Sequence, residues 1–270
     1  MNIRVNRPME GWDCHVHVFD SNCQPKDGHY RPDHHPLAEV EGIAESHGVR
    51  HLVLVQPSVY GTDNSVLLGA LALQPGRHRG VVVLNSSVSD AELDAMHAAG
   101  VRGARFNLVS PVGESTTVEK RFDALAPRLK SRGWHLQWYV QTKQLPQVAA
   151  LHAGSGLTCV FDHLAGVRAD TAAVDPAWHA LAELASAGAW VKLSGWYRLG
   201  AVEPYAALSN SLRRVAHQFG PRVVWGSDWP HTAFSIDSMP RYSSTWQPVV
   251  DALGIESATL LRERAPSIYM

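Results

Sequence analysis

Eight short β-rich runs recur along the 270-residue chain, each separated from the next by enough residues for a helix. The runs are Trp12–Phe19, His51–Gln56, Gly80–Leu84, Val101–Leu108, His135–Gln141, Thr158–His163, Ala189–Ser194 and Val223–Asp228. Between them, Ser65–Leu73, Asp90–Ala99, Arg121–Arg132, Ala177–Ala187 and Tyr205–Gln218 carry apolar residues every three or four positions, the pattern of a helix with one buried face. Gly48, Gly100, Gly133 and Gly188 each close a helical stretch just before a strand, where a left-handed cap suits glycine. Ser89-Asp90 and Asp175-Pro176 read as helix starts. Strands joined by helical crossovers pair in parallel. Eight of them, with no glycine-rich phosphate loop, predict one α/β domain over residues 1–270, a (β/α)8 TIM barrel rather than a doubly wound sheet. Residues 20–36 and 231–246 are expected as loops over the barrel mouth.

Composition narrows the function by exclusion. The formal net charge is −1, so no basic face for nucleic acid is expected. Cys14, Cys23 and Cys159 form neither an even disulfide framework nor a Cys-x-x-Cys pair. No apolar run approaches the roughly 18 residues of a membrane span, and Met1 to Gly11 lacks a signal-peptide core. A soluble, cytoplasmic protein is expected, as monomer or homo-oligomer.

Strand alternation places Asp13, His15 and His17 on one face of the first strand, and Trp12, Cys14, Val16 and Val18 on the other. Imidazoles buried in a barrel must be hydrogen-bonded, metal-bound or catalytic. His163 ends the sixth strand and Asp228 the eighth, at the carboxyl edge where barrel active sites gather. Structural histidines filling the lumen are the alternative.

Asp13-Cys14-His15-Val16-His17 together with Gly226-Ser227-Asp228-Trp229-Pro230-His231 resembles the amidohydrolase superfamily. Gln56 through Asn64, Arg102 through Asn107, Trp134 through Tyr139 and Asp162-His163 are similar to the branch that contains the 2-pyrone-4,6-dicarboxylate lactonases. The resemblance runs from about Gly11 to Tyr269 and implies hydrolysis of a small anionic lactone without a divalent metal. Under it, Asp228 is the general base, while His15, His17 and His163 polarise the lactone carbonyl. Arg105 and Arg198 match arginines that hold substrate carboxylates; Tyr139, Asn107 and Ser58 are further substrate-binding candidates.

Binuclear members of the superfamily hold metal with a carboxylated lysine on strand four and a histidine on strand five. Here those positions carry Arg105 and Tyr139, and a guanidinium cannot ligate a cation. The expectation is therefore no cofactor, with one zinc or manganese ion on His15, His17, His163 and Asp228 as the alternative. Leu164-Ala165-Gly166 and Leu108 through Val112 lack basic residues that the dicarboxylate lactonases carry, which points to a monocarboxylated lactone such as a muconolactone or sugar-acid lactone. His29, Tyr30 and Tyr60 are candidate mouth residues. A metal-dependent hydrolase or decarboxylase, a sugar-lactone isomerase and a non-enzymatic binding barrel are the other readings.

Overall fold

The computed structural model describes residues 11–26, 31–109, 117–232, 234 and 236–270. The strands are β1 (Gly11–Val16), β2 (Val49–Val55), β3 (Arg79–Val82), β4 (Val101–Asn107), β5 (His135–Tyr139), β6 (Cys159–Phe161), β7 (Trp190–Leu193) and β8 (Val223–Trp225). Between and after them lie α1 (Leu37–Glu45), α2 (Ser65–Leu73), α3 (Asp90–Ala98), α4 (Val118–Ser131), α5 (Leu145–His152), α6 (Ala177–Ser186), α7 (Ser209–Phe219), α8 (Tyr242–Leu253), α9 (Ile255–Glu263) and α10 (Pro266–Tyr269). The strands pair in parallel in the order β1 to β8. The expected (β/α)8 barrel is what forms.

Local chemistry explains the elements. Ser89 caps α3 reciprocally, its Oγ accepting from Glu92 N at 3.2 Å while its own N donates to Glu92 Oε2 at 2.7 Å. The apolar stripe of α7 buries Leu212, Val215 and Phe219 against the sheet. The seam between β8 and β1 is closed beyond the end of β8, where Asp228 N donates to His15 O at 2.8 Å and His17 N to Trp229 O at 2.9 Å. The bonds that close the barrel thus belong to the residues singled out for chemistry.

Strict alternation fails in β1. Asp13 pairs with Leu52 and Val16 with Leu54, so three steps on β1 oppose two on β2. This β-bulge inserts one extra residue and switches the phase of the strand. Before the bulge, Trp12 and Cys14 belong to a cluster with Val53, Val55, Val81, Val224 and Tyr269. Tyr269 of α10 also meets His135 of β5, across the barrel from β1, so this cluster fills the floor of the lumen. Asp13 points the other way and accepts from Tyr242 of α8 at 2.8 Å. After the bulge, His15 and His17 face the lumen. The expectation that Asp13 shares their face is wrong, and so is the assignment of Trp12 and Cys14 to the helix side.

Other boundaries differ modestly. Residues 242–246 were expected in a mouth loop; they form the first turns of α8. The segment after β1 follows the expectation more closely: Phe19 and His35 exchange backbone bonds of 2.9 and 3.0 Å, tying its two ends together. His29 and Tyr30 lie outside the described residues. No helix among those described is long and apolar enough to cross a membrane.

Candidate active site

Three strands deliver the four expected catalytic residues to one point. His15 and His17 come from the bulged end of β1, His163 from the end of β6, and Asp228 from the end of β8. All are buried. Asp228 Oδ1 lies 3.5 Å from His15 Nε2, 3.5 Å from His17 Nε2 and 3.9 Å from His163 Nε2. His163 and Asp228 hold left-handed backbone angles, φ 48° and 64°. Such conformations cost energy in residues other than glycine and concentrate where geometry is over-determined by function.

The partners behind each ring fix which nitrogen carries the proton. His17 Nδ1 lies 2.8 Å from Val55 O, which can only accept, so Nδ1 is protonated. His15 Nδ1 faces Asp162 Oδ1 at 3.2 Å, again an acceptor. Burial holds the His15 imidazole well below its ordinary pKa, so it is neutral. Its Nε2 is then a lone pair. His163 differs: its Nδ1 sits 2.8 Å from Ser194 Oγ, and a hydroxyl can donate. When Ser194 donates, His163 Nε2 carries the hydrogen. Burial brings the His163 pKa down to about 4, so this ring too is neutral. The His15 lone pair and Asp228 Oδ1 thus stand as acceptors beside the His163 N–H, with His17 Nε2 facing the same carboxylate oxygen.

Behind this set lies a charged layer. Asp162 Oδ2 accepts from Arg105 Nε at 2.9 Å, and its Oδ1 is 3.6 Å from Lys192 Nζ. Burial alone would raise the Asp162 carboxyl; the His15 N–H, Arg105 and Lys192 outweigh it and hold the group well below the usual carboxylate range. Lys192 is wholly buried and donates to Gln137 Oε1 at 2.6 Å, and burial lowers its pKa to about 8. Asp228 is pulled the same way. Burial opposes its ionisation, but Arg198 Nε at 2.6 Å from Oδ2 keeps it well below its ordinary pKa. Tyr197 OH donates to the same oxygen at 2.7 Å.

Above the cluster is a cavity of about 220 Å³ lined by His17, Ser58, Arg105, Asn107, Tyr139 and Arg198, among others. Every residue expected to bind substrate is here. Asn107 Nδ2 donates to Ser58 Oγ at 2.6 Å, and the Tyr139 ring meets His163 edge-on at 5.0 Å. Arg105 and Arg198 each use Nε on a carboxylate. Tyr60 does not line the cavity; its hydroxyl donates to Asp20 O at 2.9 Å and secures the segment after β1.

Sequence reading missed Asp162, Lys192, Ser194 and Tyr197 as working parts of the site. A period-two reading of β7 and its end would have flagged Lys192 and Ser194, polar residues on the same face of a buried strand. It also passed over His231, whose two ring nitrogens are buried without hydrogen-bond partners beside Tyr197.

Two groups among the described residues could hold a metal ion: His15, His17 and Asp228, and His15, Asp162 and His163. The first fits one divalent cation well, because two imidazole nitrogens and a carboxylate oxygen converge on one point. The second is already served by Arg105 and Lys192.

Residues 12–240 match the family model described as Amidohydrolase. The chain belongs to this family. It is 32% identical over 249 residues to a 2-pyrone-4,6-dicarboxylate hydrolase of Comamonas testosteroni, covering 86% of this chain and 80% of that one. A 4-sulfomuconolactone hydrolase of Rhizobium radiobacter is 26% identical, over 84% of this chain and 78% of its own. A crystal structure of a candidate 2-pyrone-4,6-dicarboxylic acid hydrolase from Pseudomonas putida superposes with a TM-score of 0.85 at 32% identity, over 97% of both chains. The lactonase branch to which the sequence pointed is thus where this amidohydrolase finds its relatives.

Proposed function

We propose that this amidohydrolase opens a small carboxylated lactone by adding water. The observation that carries the reading is the cluster of Asp228 Oδ1 with the Nε2 atoms of His15 and His17, buried beneath a cavity with two arginines. A water molecule can donate one hydrogen to Asp228 and the other to a histidine lone pair, which turns its own lone pair toward the cavity. Asp228 takes a proton as the water oxygen bonds to the lactone carbonyl carbon. The carbonyl oxygen becomes an oxyanion, met by His163 Nε2–H. The ring C–O bond then breaks, and the proton on Asp228 passes to the departing ring oxygen. The product is an open-chain hydroxy acid or its keto tautomer. The fork nitrogens of Arg105 and Arg198 not engaged by Asp162 and Asp228 are suited to a substrate carboxylate.

These steps need no metal ion. Two permanent cations, Arg105 and Arg198, already flank the cluster and disfavour a further one. The alternative reading is favoured by the same convergent ligand atoms: one zinc or manganese ion held by His15, His17 and Asp228, with His163 alongside, would supply Lewis-acid activation of the carbonyl.

A pH-indicator screen over five- and six-membered acidic lactones tests the function. At least one should be opened, with oxygen from labelled water entering the product carboxylate. Turnover without label would instead assign an isomerase, and no turnover on any of them would sink the reading. Chelator-treated protein should retain its rate; loss of rate restored by zinc or manganese would establish the metal-dependent alternative.

A further inference from the structure

Two polar side chains share one face of β7 and its end. Trp190 packs against the cluster that fills the barrel floor, while Val191 and Leu193 belong to the same cluster as Leu184 of α6 and Leu212 of α7. Alternation therefore turns Lys192 and Ser194 toward the lumen. Both are buried, and neither is in the described lining of the cavity above Asp228. We propose that this face of β7 sets opposite tautomers in two catalytic histidines, with Lys192 acting through Asp162 on His15 and Ser194 acting directly on His163. Lys192 and Ser194 are then positioning residues. The proposal rests on the lactone reading above for what the two rings go on to do.

The geometry is clearest at His163. Its Nε2 faces Asp228 Oδ1 at 3.9 Å, and its Nδ1 lies 2.8 Å from Ser194 Oγ. An ionised carboxylate only accepts, so it favours the hydrogen on Nε2 and leaves on Nδ1 a lone pair for the Ser194 hydroxyl. The backbone of Gly195 lies so near that a Cβ would stand 2.4 Å from Nδ1, which keeps the ring against that hydroxyl. At His15 two carboxylates compete for one ring hydrogen. Nε2 faces Asp228 Oδ1 at 3.5 Å and Nδ1 faces Asp162 Oδ1 at 3.2 Å. Asp228 Oδ1 is shared with His17 and His163, whereas Asp162 Oδ1 stands nearer. Asp162 prevails only while it stays an acceptor, and a buried carboxylate stays one when it is paired. Arg105 serves its Oδ2 at 2.9 Å, and Lys192 Nζ lies 3.6 Å from its Oδ1. Gln137 of β5 anchors that ammonium, accepting from Nζ at 2.6 Å. The outcome is a lone pair on His15 Nε2 and an N–H on His163 Nε2, both beside Asp228. One can take a hydrogen from the attacking water while the other donates to the oxyanion. Rings in the same tautomer would lose one of these two roles.

Proton–nitrogen correlation spectra of chelator-treated protein with isotope-labelled imidazoles test this, the signals being assigned through His15→Asn and His163→Asn. In the wild type the hydrogen should sit on Nδ1 of His15 and on Nε2 of His163; one tautomer in both rings overturns the proposal. Lys192→Met, similar in length but uncharged, should move hydrogen to Nε2 of His15 and leave His163 as it was. Ser194→Ala should alter His163 and spare His15, and Ser194→Thr, which keeps the hydroxyl, should restore the His163 signal. Should Lys192→Met fail to fold, Gln137→Leu, which frees the ammonium from its anchor, reads the same His15 signal. Ring signals unmoved in these variants overturn the assignment to β7. Kinetics on 2-pyrone-4,6-dicarboxylate and 4-sulfomuconolactone supply the second readout. Lys192→Met and Ser194→Ala should each lower kcat by at least about tenfold with little change in KM, as for residues that orient catalytic groups without touching substrate. Lys192→Met/Asp162→Asn should be no slower than Asp162→Asn alone, because the lysine acts through that carboxylate; additive losses overturn that route. Opposite tautomers that respond to the variants in a protein that opens neither lactone uphold the proposal and sink only the lactone reading. Turnover with both rings in one tautomer does the reverse.

Discussion

Asp228 Oδ2 already accepts from Tyr197 and Arg198, so Oδ1, facing the three histidines, is the oxygen left to take a proton. Asp228→Asn should keep the shape of the site and lose the base. Turnover should fall by at least about 10²-fold with substrate binding largely retained, as read by steady-state kinetics and calorimetry. Near-normal turnover would remove Asp228 from the mechanism. Arg198 has two duties that its place in the sequence does not reveal, because it lines the cavity and also holds Asp228 ionised. A base works only while ionised, so raising its pKa moves the acidic limb of the rate profile to higher pH. Arg198→Met should therefore raise KM for a carboxylated lactone and also shift the acidic limb of kcat upward. A change in KM with an unmoved pH profile would confine Arg198 to substrate binding.

At the scale of single elements, the site depends on where backbones can approach side chains. Gly195 precedes the helical turn Trp196–Leu199 with φ 61°, and a Cβ there would stand 2.4 Å from His163 Nδ1. His163 is buried and held by Ser194, so the ring would have to leave its place. Gly195→Ala should lower kcat by at least about tenfold through loss of the oxyanion donor, and should cost about 1–2 kcal/mol of stability from the left-handed backbone alone. Circular dichroism and a urea midpoint would separate this from global unfolding; unchanged kcat would mean that His163 can shift without consequence. Gly226 has the same role at the barrel seam, where a Cβ would stand 2.5 Å from His15 Cβ. The β1 bulge is the third such device, since without its extra residue His15 and His17 would change faces.

For the whole molecule, the buried imidazoles set a limit in acid. Burial takes His135 to about 3, and His163 and His231 to about 4. These groups are neutral in the fold but take up protons near pH 6.5 once unfolded, so the unfolded chain binds more protons below that point. Stability should be fully present above about pH 6.5 and be lost progressively as the pH falls toward 4. Each group contributes on the order of 3 kcal/mol at the limit, against a typical total of 5–15 kcal/mol. Urea midpoints measured from pH 7 to 4 should therefore decline steadily. A flat profile would show that the imidazoles are charged or solvent-connected in the native state. Such a decline would also narrow the working range of an enzyme in which the Asp228 carboxylate stays ionised well into acid.

The sequence by itself determined the barrel and which side chains gather at its mouth. Eight strand-and-helix units have few ways to bury eight apolar strands, and polar residues at the carboxyl ends of β1, β4, β6 and β8 have few places to go but the mouth. His15, His17, His163, Asp228, Arg105, Asn107, Tyr139, Ser58 and Arg198 all reach it. The direction of individual side chains within β1 was not legible, because a bulge is set by pairing with β2 and by closure against β8 rather than by the residues it contains. Nor was the division of labour among the charged groups. Asp162, Lys192 and Ser194 lie next to or within motifs that the sequence displays, yet their roles depend on distances across the lumen between strands 30 to 60 residues apart, such as Lys192 to Gln137 and His163 to Ser194.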